Sequence, residues 1–161
     1  MKYEHLVQMC NPQAPGPSIS RAQLWQGLVL RAENPQRFDE NISEVRILER
    51  SEDALRREVQ FGALVVREKV LFTELLEVHY HTEPSDQHIG GRMSMRIEEP
   101  EAGKLFLRFC YINDLPEKPD VSDSSDPSYF VPYLKSAYHQ ADMDTAKRIL
   151  ELALEGVLGS H

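Results

Sequence analysis

Apolar and polar residues alternate with a period that changes twice along the chain, and those changes divide it into elements. From Ile42 to Ile112 apolar residues recur at every second position, in runs closed by short polar turns, the pattern of a meander of antiparallel strands. The runs predict six strands, 42–50, 54–61, 64–73, 76–82, 91–98 and 104–112, and the segment 3–10 predicts a further strand ahead of them. Between that strand and the meander the period is helical. Ser20-Arg21-Ala22-Gln23 forms a capping box, in which the serine oxygen accepts from the third helical amide and the glutamine reaches back to the cap. Ile19 and Leu24 stand where a hydrophobic staple places them, and Leu24, Trp25, Leu28 and Ala32 follow on one face. Asn34-Pro35 ends the run, because a residue before proline is driven out of helical geometry, and Pro35 to Phe38 has room for a further turn. Residues 129–158 carry Tyr138, Ala141, Ile149, Leu152, Ala153 and Val157 between charges. This predicts a second helix of roughly 40 Å, at about 1.5 Å per residue. Pro132 belongs in its first turn or marks a break there, and Asp142-Met143-Asp144 is expected to kink it, since aspartate is a poor interior helix former.

Three loops punctuate these elements: Asn11–Ser18, rich in proline, Glu83–Gly91, ending in paired glycines, and the acidic Asp114–Ser128, expected to be a mobile, solvated connector.

Register follows from the pattern, because a slip of one residue would send a whole apolar set into water. A turn at Gly62-Ala63 sets Phe61 against Leu64, Val59 against Val66 and Arg57 against Glu68. Turns at Ser51–Asp53 and Thr73–Leu75 then place Val45 beside Val59, Ile47 beside Arg57, Val70 beside Val78 and Glu68 beside Tyr80. The loop from Glu83 closes with Tyr80 opposite Met93 and Val78 opposite Met95. One side of the sheet thereby collects Val45, Ile47, Val59, Phe61, Leu64, Val66, Val70, Phe72, Leu76, Val78, Met93, Met95 and Ile97, crossed by one polar row: Arg57, Glu68 and Tyr80. An uncompensated charge in low dielectric costs several kcal/mol, so this row is either an internal ion pair or the polar anchor of a ligand cavity. Arg108 extends the row if the last strand turns Phe106, Arg108 and Cys110 inward; Leu105, Leu107, Phe109 and Tyr111 make its other face equally apolar.

Composition narrows the function classes. The 161 residues, 41% hydrophobic and 27% charged, have the balance of a single globular domain spanning 1–161. A net charge of −8, from 18 basic and 26 acidic residues, argues against nucleic acid as a partner, which requires a cationic footprint. No run approaches the roughly 20 apolar residues of a membrane span, and MKYEHLVQMCNP lacks the apolar core of a signal peptide. Cys10 and Cys110 have neither metal nor disulfide-scaffold spacing and read as small buried residues, so a cytoplasmic location with free thiols is expected.

The chemistry-bearing motifs are sparse. His79-Tyr80-His81 puts two imidazoles on one face of a strand, but that face turns outward beside Glu77 and no third ligand has recognisable spacing, so no metal is expected. His88 and His139 carry no assigned role, and His161 ends a Gly-Ser-His tail. No Gly-x-Ser-x-Gly elbow occurs, and the glycines at 62, 90 and 91 form no phosphate loop, so no cofactor is expected. Trp25, Phe72, Met93, Met95 and Tyr138 suit either a core or an adaptable cavity wall.

A lone strand, a helical pair, six meandering strands and one long terminal helix resemble the helix-grip order of the START/SRPBCC superfamily. Within it, SRAQLWQGLVLRAENP, VRILERSED, VQFGALVVREKV and AYHQADMDTAKRI together resemble the AtaL-like family. The resemblance implies an α+β fold in which a bent seven-stranded antiparallel sheet (β-α-α-β6-α) grips the last helix, with a cavity between them. In many relatives such a cavity holds lipids, steroids or polyketides. It carries over no catalytic residue. The leading expectation is a binding protein for an apolar small molecule. Arg57, Glu68, Tyr80 and Arg108 would orient a polar group of the ligand, and entry would lie near the Glu83–Gly91 loop and the start of the last helix. The alternatives are a polyketide cyclase or aromatase-like enzyme, with Glu68 as base and Tyr80 as acid and no metal, and a protein-interaction module. The Arg57 partnership opposes base catalysis, because a nearby cation lowers a glutamate pKa. A homodimer is left open.

Overall fold

The computed structural model describes residues 1–118 and 121–159; Pro119 and Asp120 of the acidic loop and Ser160 and His161 of the tail lie outside the described residues. The elements, in chain order, are β1 (Lys2–Cys10), α1 (Arg21–Glu33), a 3-10 turn (Pro35–Arg37), β2 (Glu44–Arg50), β3 (Ala54–Phe61), β4 (Leu64–Thr73), β5 (Glu77–Thr82), β6 (Gly91–Glu101), β7 (Lys104–Ile112), a second 3-10 turn (Pro127–Phe130) and α2 (Val131–Leu154). The strands form one seven-stranded antiparallel sheet in the order β1-β7-β6-β5-β4-β3-β2. Because β1 pairs with the last strand, the meander becomes a continuous sheet with the helical pair inserted between its two edges.

The capping box forms in full: the Ser20 hydroxyl accepts from the Gln23 amide at 3.1 Å and the Gln23 side chain accepts from the Ser20 amide at 3.0 Å. Leu24, Gly27, Leu28 and Ala32 are the buried stripe of α1. Gly27 lets the two helices approach, since a Cβ at that position would stand 2.9 Å from Cγ2 of Ile149 in α2. The core lies between the inner sheet face and these helices, with Leu55, Val70, Val78, Met95, Leu107 and Phe109 from the strands meeting Leu24, Leu28, Ile149 and Leu152.

The register of β2 with β3, of β3 with β4, and of β5 with β6 is the one read from the sequence. The pairing of β4 with β5 differs by two residues: Val70 faces Tyr80, Phe72 faces Val78, and Glu68 faces Thr82 rather than Tyr80. The cause is the turn. Leu75 adopts a left-handed conformation with φ of 61°, and the three-residue loop is displaced by one position, to Glu74–Leu76, without any glycine to announce it. A shift of two keeps every side chain on its face, so the inner set survives, although Ile47 near the free edge is 44% exposed.

Helix α2 runs unbroken through Asp142, which is buried on its inner stripe with Thr145, Ala146, Ile149 and Leu152, in place of the expected kink. Val157 lies beyond the end of the helix and is exposed. The described parts of the acidic loop are tied down. Ser128 is buried and donates to the Pro116 carbonyl at 2.6 Å, and Lys118 pairs with Asp126 at 3.1 Å.

Candidate functional site

On the inner face, the alternate residues Arg57, Val59 and Phe61 of β3 and Leu64, Val66 and Glu68 of β4 form one wall of a cleft of about 970 Å³. Tyr80 and Met93 continue that wall across β5 and β6. The other sides are Arg31 of α1, the segment 35–42, and Ala141, Asp144 and Thr145 of α2, with His88 of the β5–β6 loop at the margin. Gln36, Arg37, Glu40 and Asn41 on the 35–42 segment are exposed, so the cleft opens there. His88 is the residue of the Glu83–Gly91 loop in the lining, and the start of α2 does not reach it.

The polar floor is organised by Arg57, which is only 5% exposed. Its Nε and Nη2 donate to Oε1 of Glu68 at 3.1 and 2.7 Å, and Nη1 donates to the carbonyls of Arg31 and Ala32 at 3.3 and 2.5 Å. Those carbonyls belong to the last turn of α1, where helix geometry leaves oxygens without an amide partner and concentrates negative potential. Arg57 therefore neutralises both a carboxylate and a helix terminus. The second oxygen of Glu68 accepts from the Thr82 hydroxyl at 2.8 Å, the contact that the altered β4–β5 register provides. All three nitrogens of this guanidinium and both glutamate oxygens are thus engaged within the protein.

Tyr80 is different. It is buried to 1% exposure, yet its hydroxyl has no hydrogen-bond partner among the described residues. A buried unsatisfied hydroxyl costs about 1–3 kcal/mol. The guanidinium carbons of Arg57 and Arg31 lie 5.2 and 5.3 Å from the centroid of its ring. No carboxylate pairs with the half-buried Arg31 among the described residues; its nearest polar neighbour is the Tyr80 phenol, whose ring its guanidinium borders. Sequence reasoning missed it. Its signal was positional: Arg31 follows Leu24 by seven residues and Leu28 by three, which puts it on the buried stripe of α1.

Beyond Arg31 lies a second polar cluster. Asp142 of α2, buried, receives the Tyr111 hydroxyl of β7 on one oxygen and meets Nε2 of His5 of β1 at 2.6 Å on the other. His5 stacks on Phe109, and His139 lies 4.6 Å from the His5 ring centre and 3.1 Å from the Tyr3 hydroxyl. Burial holds the Asp142 carboxyl above its ordinary range, against the lowering effect of its hydrogen bonds to Tyr111 and His5. Burial, reinforced by the neighbouring Asp142 charge, likewise raises the Tyr111 phenol.

Of the residues singled out from the sequence, Arg57, Glu68, Tyr80 and Met93 converge on the cleft. Met95 is fully buried core, and Trp25 packs edge-on against Phe72 with ring centres 6.3 Å apart; these three lie outside the lining. Tyr138 stacks on Tyr111 at 3.9 Å, also outside it. Arg108 sits on the opposite face. The last strand turns Leu105, Leu107 and Phe109 inward, so Arg108 pairs with Glu98 on the outer face, Nη2 to Oε1 at 3.2 Å. His79 is likewise outside, 3.9 Å from Glu77, and no cluster of three metal-ligating side chains occurs among the described residues.

A sheet packed on a long terminal helix, with a partly polar cleft between them, is a helix-grip fold. The chain belongs to the AtaL family: the family described as acetylaranotin biosynthesis cluster protein L matches residues 6–156. No curated protein matches it. Among solved structures, it is similar to the di-domain aromatase/cyclase StfQ of the steffimycin biosynthetic pathway. The two share 12% identity with a TM-score of 0.70, over 97% of this chain but only 52% of that one, so this chain spans about half its length. It is also similar to the Zhui aromatase/cyclase from Streptomyces sp. R1128, at 15% identity and a TM-score of 0.61, over 99% and 97% of the two chains. Human STARD10 matches at 11% identity and a TM-score of 0.60, over 96% of this chain and 65% of that one. At such identities the likeness is one of fold. No helix is long and apolar enough to cross a membrane among the described residues.

Proposed function

We propose that the cleft between sheet, α2 and the 35–42 segment binds an apolar small molecule. The carrying observation is the wall formed by Val59, Phe61, Leu64, Val66 and Met93 in a space of about 970 Å³, within the upper range of ligand sites. Covering that wall supplies affinity at about 25 cal/mol per Å² of apolar surface removed from water. The Arg57–Glu68 pair holds the end of α1 against the sheet and so fixes the depth of the cleft. The structural likeness to aromatase/cyclases supports a second reading, in which a bound polyketide-like molecule is turned over. Glu68 is poorly placed as a base for that chemistry, because Arg57 and the Thr82 hydroxyl already occupy its two oxygens.

The test is displacement of a neutral environment-sensitive dye, N-phenyl-naphthylamine, by fatty acids and fused-ring aromatics. Val66→Trp, which fills the cleft, serves as the blocked control. Saturable dye binding lost in Val66→Trp supports the reading; binding indifferent to that substitution refutes it. Glu68→Gln separates the two readings: loss of turnover with binding retained marks a base, and retention of both marks an architectural residue.

A further inference from the structure

We infer that Arg31 and Tyr80 form an oxyanion subsite in the floor of the cleft, so that its ligand is an acidic amphiphile: an apolar body bearing a carboxylate or an acidic enol. This rests on the cleft reading and specifies the head group.

Two arginines border the Tyr80 ring, and only one has its charge answered. The Arg57 charge is answered by Glu68 and by the Arg31 and Ala32 carbonyls. Arg31 lines the cleft with no carboxylate paired to its guanidinium among the described residues. The inner carboxylates nearby are already committed: Glu68 to Arg57 and Thr82, Asp142 to Tyr111 and His5. Asp39, Glu40 and Asp144 line the cleft as well, but Glu40 and Asp144 are exposed and Asp39 half-exposed, where water and salt screen them. The Arg37 charge offsets one of the three at the same opening. Beside Arg31, the buried Tyr80 hydroxyl is a donor without an acceptor. A cation lacking its anion and a phenol lacking its acceptor, side by side at the base of an apolar wall, are complementary to one anionic oxygen on an apolar molecule. A neutral carbonyl could accept from the phenol but would leave the Arg31 charge unanswered.

The experiment compares matched pairs displacing the same neutral dye from the whole protein at mildly alkaline pH: dodecanoate against methyl dodecanoate, and benzoylacetone against butyrophenone. The acid of at least one pair should bind about tenfold or more tightly than its neutral isostere, as a charge-assisted hydrogen bond predicts. The pair with the larger ratio tells carboxylate from enol. Arg31→Gln should bring that ratio to about twofold or less, Arg31→Lys should keep part of it, and Tyr80→Phe should lower it by weakening the acid more than its neutral partner. Thermal melts of each variant establish that it is folded; should Arg31→Gln not fold, Arg31→Lys and Tyr80→Phe carry the test. Equal binding of acid and neutral partners, or a preference that survives Arg31→Gln, refutes the subsite and leaves the cleft reading standing. Failure of the dye and of all four probes to bind refutes both.

Discussion

Arg57 on β3 and Ala32 in the last turn of α1 are joined by a hydrogen bond of 2.5 Å from Nη1 to the carbonyl, and the same guanidinium grips Glu68 on β4. One side chain therefore couples two strands to the end of a helix, immediately before Asn34-Pro35 turns the chain along the cleft. The pair is architectural as well as polar, and breaking it is expected to loosen that wall. Arg57→Met leaves the Glu68 charge and two helix carbonyls without their donor, for a loss of about 3–5 kcal/mol. Urea unfolding checks this. Adding Glu68→Gln should restore part of the loss, since the unpaired charge is then gone.

Gly27 is where α1 meets α2. A methyl there would stand 2.9 Å from Cγ2 of Ile149, a fully buried branched side chain with no room to yield. Gly27→Ala should therefore destabilise, because overpacking of about 1–3 kcal/mol exceeds the helix-propensity gain of about 0.8–1.0 kcal/mol. In an Ile149→Ala background the clash is absent and the same substitution should stabilise. A double-mutant cycle on unfolding midpoints reads this change of sign.

Asp142 makes stability depend on pH in an unusual direction. Its folded carboxyl is raised by burial, with Tyr111, His5 and the Arg31 charge opposing. Between the unfolded value near about 3.9 and the raised folded value, the native state holds the proton more tightly than the unfolded chain. The Asp142 contribution is then present at low pH and declines as pH rises through that window. The stability of the native protein minus that of Asp142→Asn should accordingly fall with increasing pH above the ordinary aspartate range. A flat or rising difference in urea midpoints would count against the raised carboxyl.

Arg108 provides the outer-face comparison. Its pair with Glu98 is 38% and 31% exposed, so solvent screens it. Arg108→Gln should cost no more than about 1 kcal/mol and leave dye affinity unaltered, checked by thermal melt and titration.

Most of the sheet was legible because alternation and short turns fix register, and the Gly62-Ala63 hairpin set Arg57 opposite Glu68 as read. Three features escaped for physical reasons. The turn before β5 uses a left-handed Leu75, a conformation that no local residue signals, and this moved Thr82 into the place expected for Tyr80. The last strand is apolar on both faces, so pattern could not orient Arg108. Arg31 and Asp142 are charges on buried helical stripes, where polarity argues for solvent while position argues for the interior. Position won at both, and both stand at or beside the cleft.

The most direct measurement is native mass spectrometry of the protein purified gently from its own host, alongside Val66→Trp prepared identically. The account predicts a retained small molecule on the native chain that is missing from the filled variant, and bare mass in both preparations, with no saturable dye uptake by either, would contradict it.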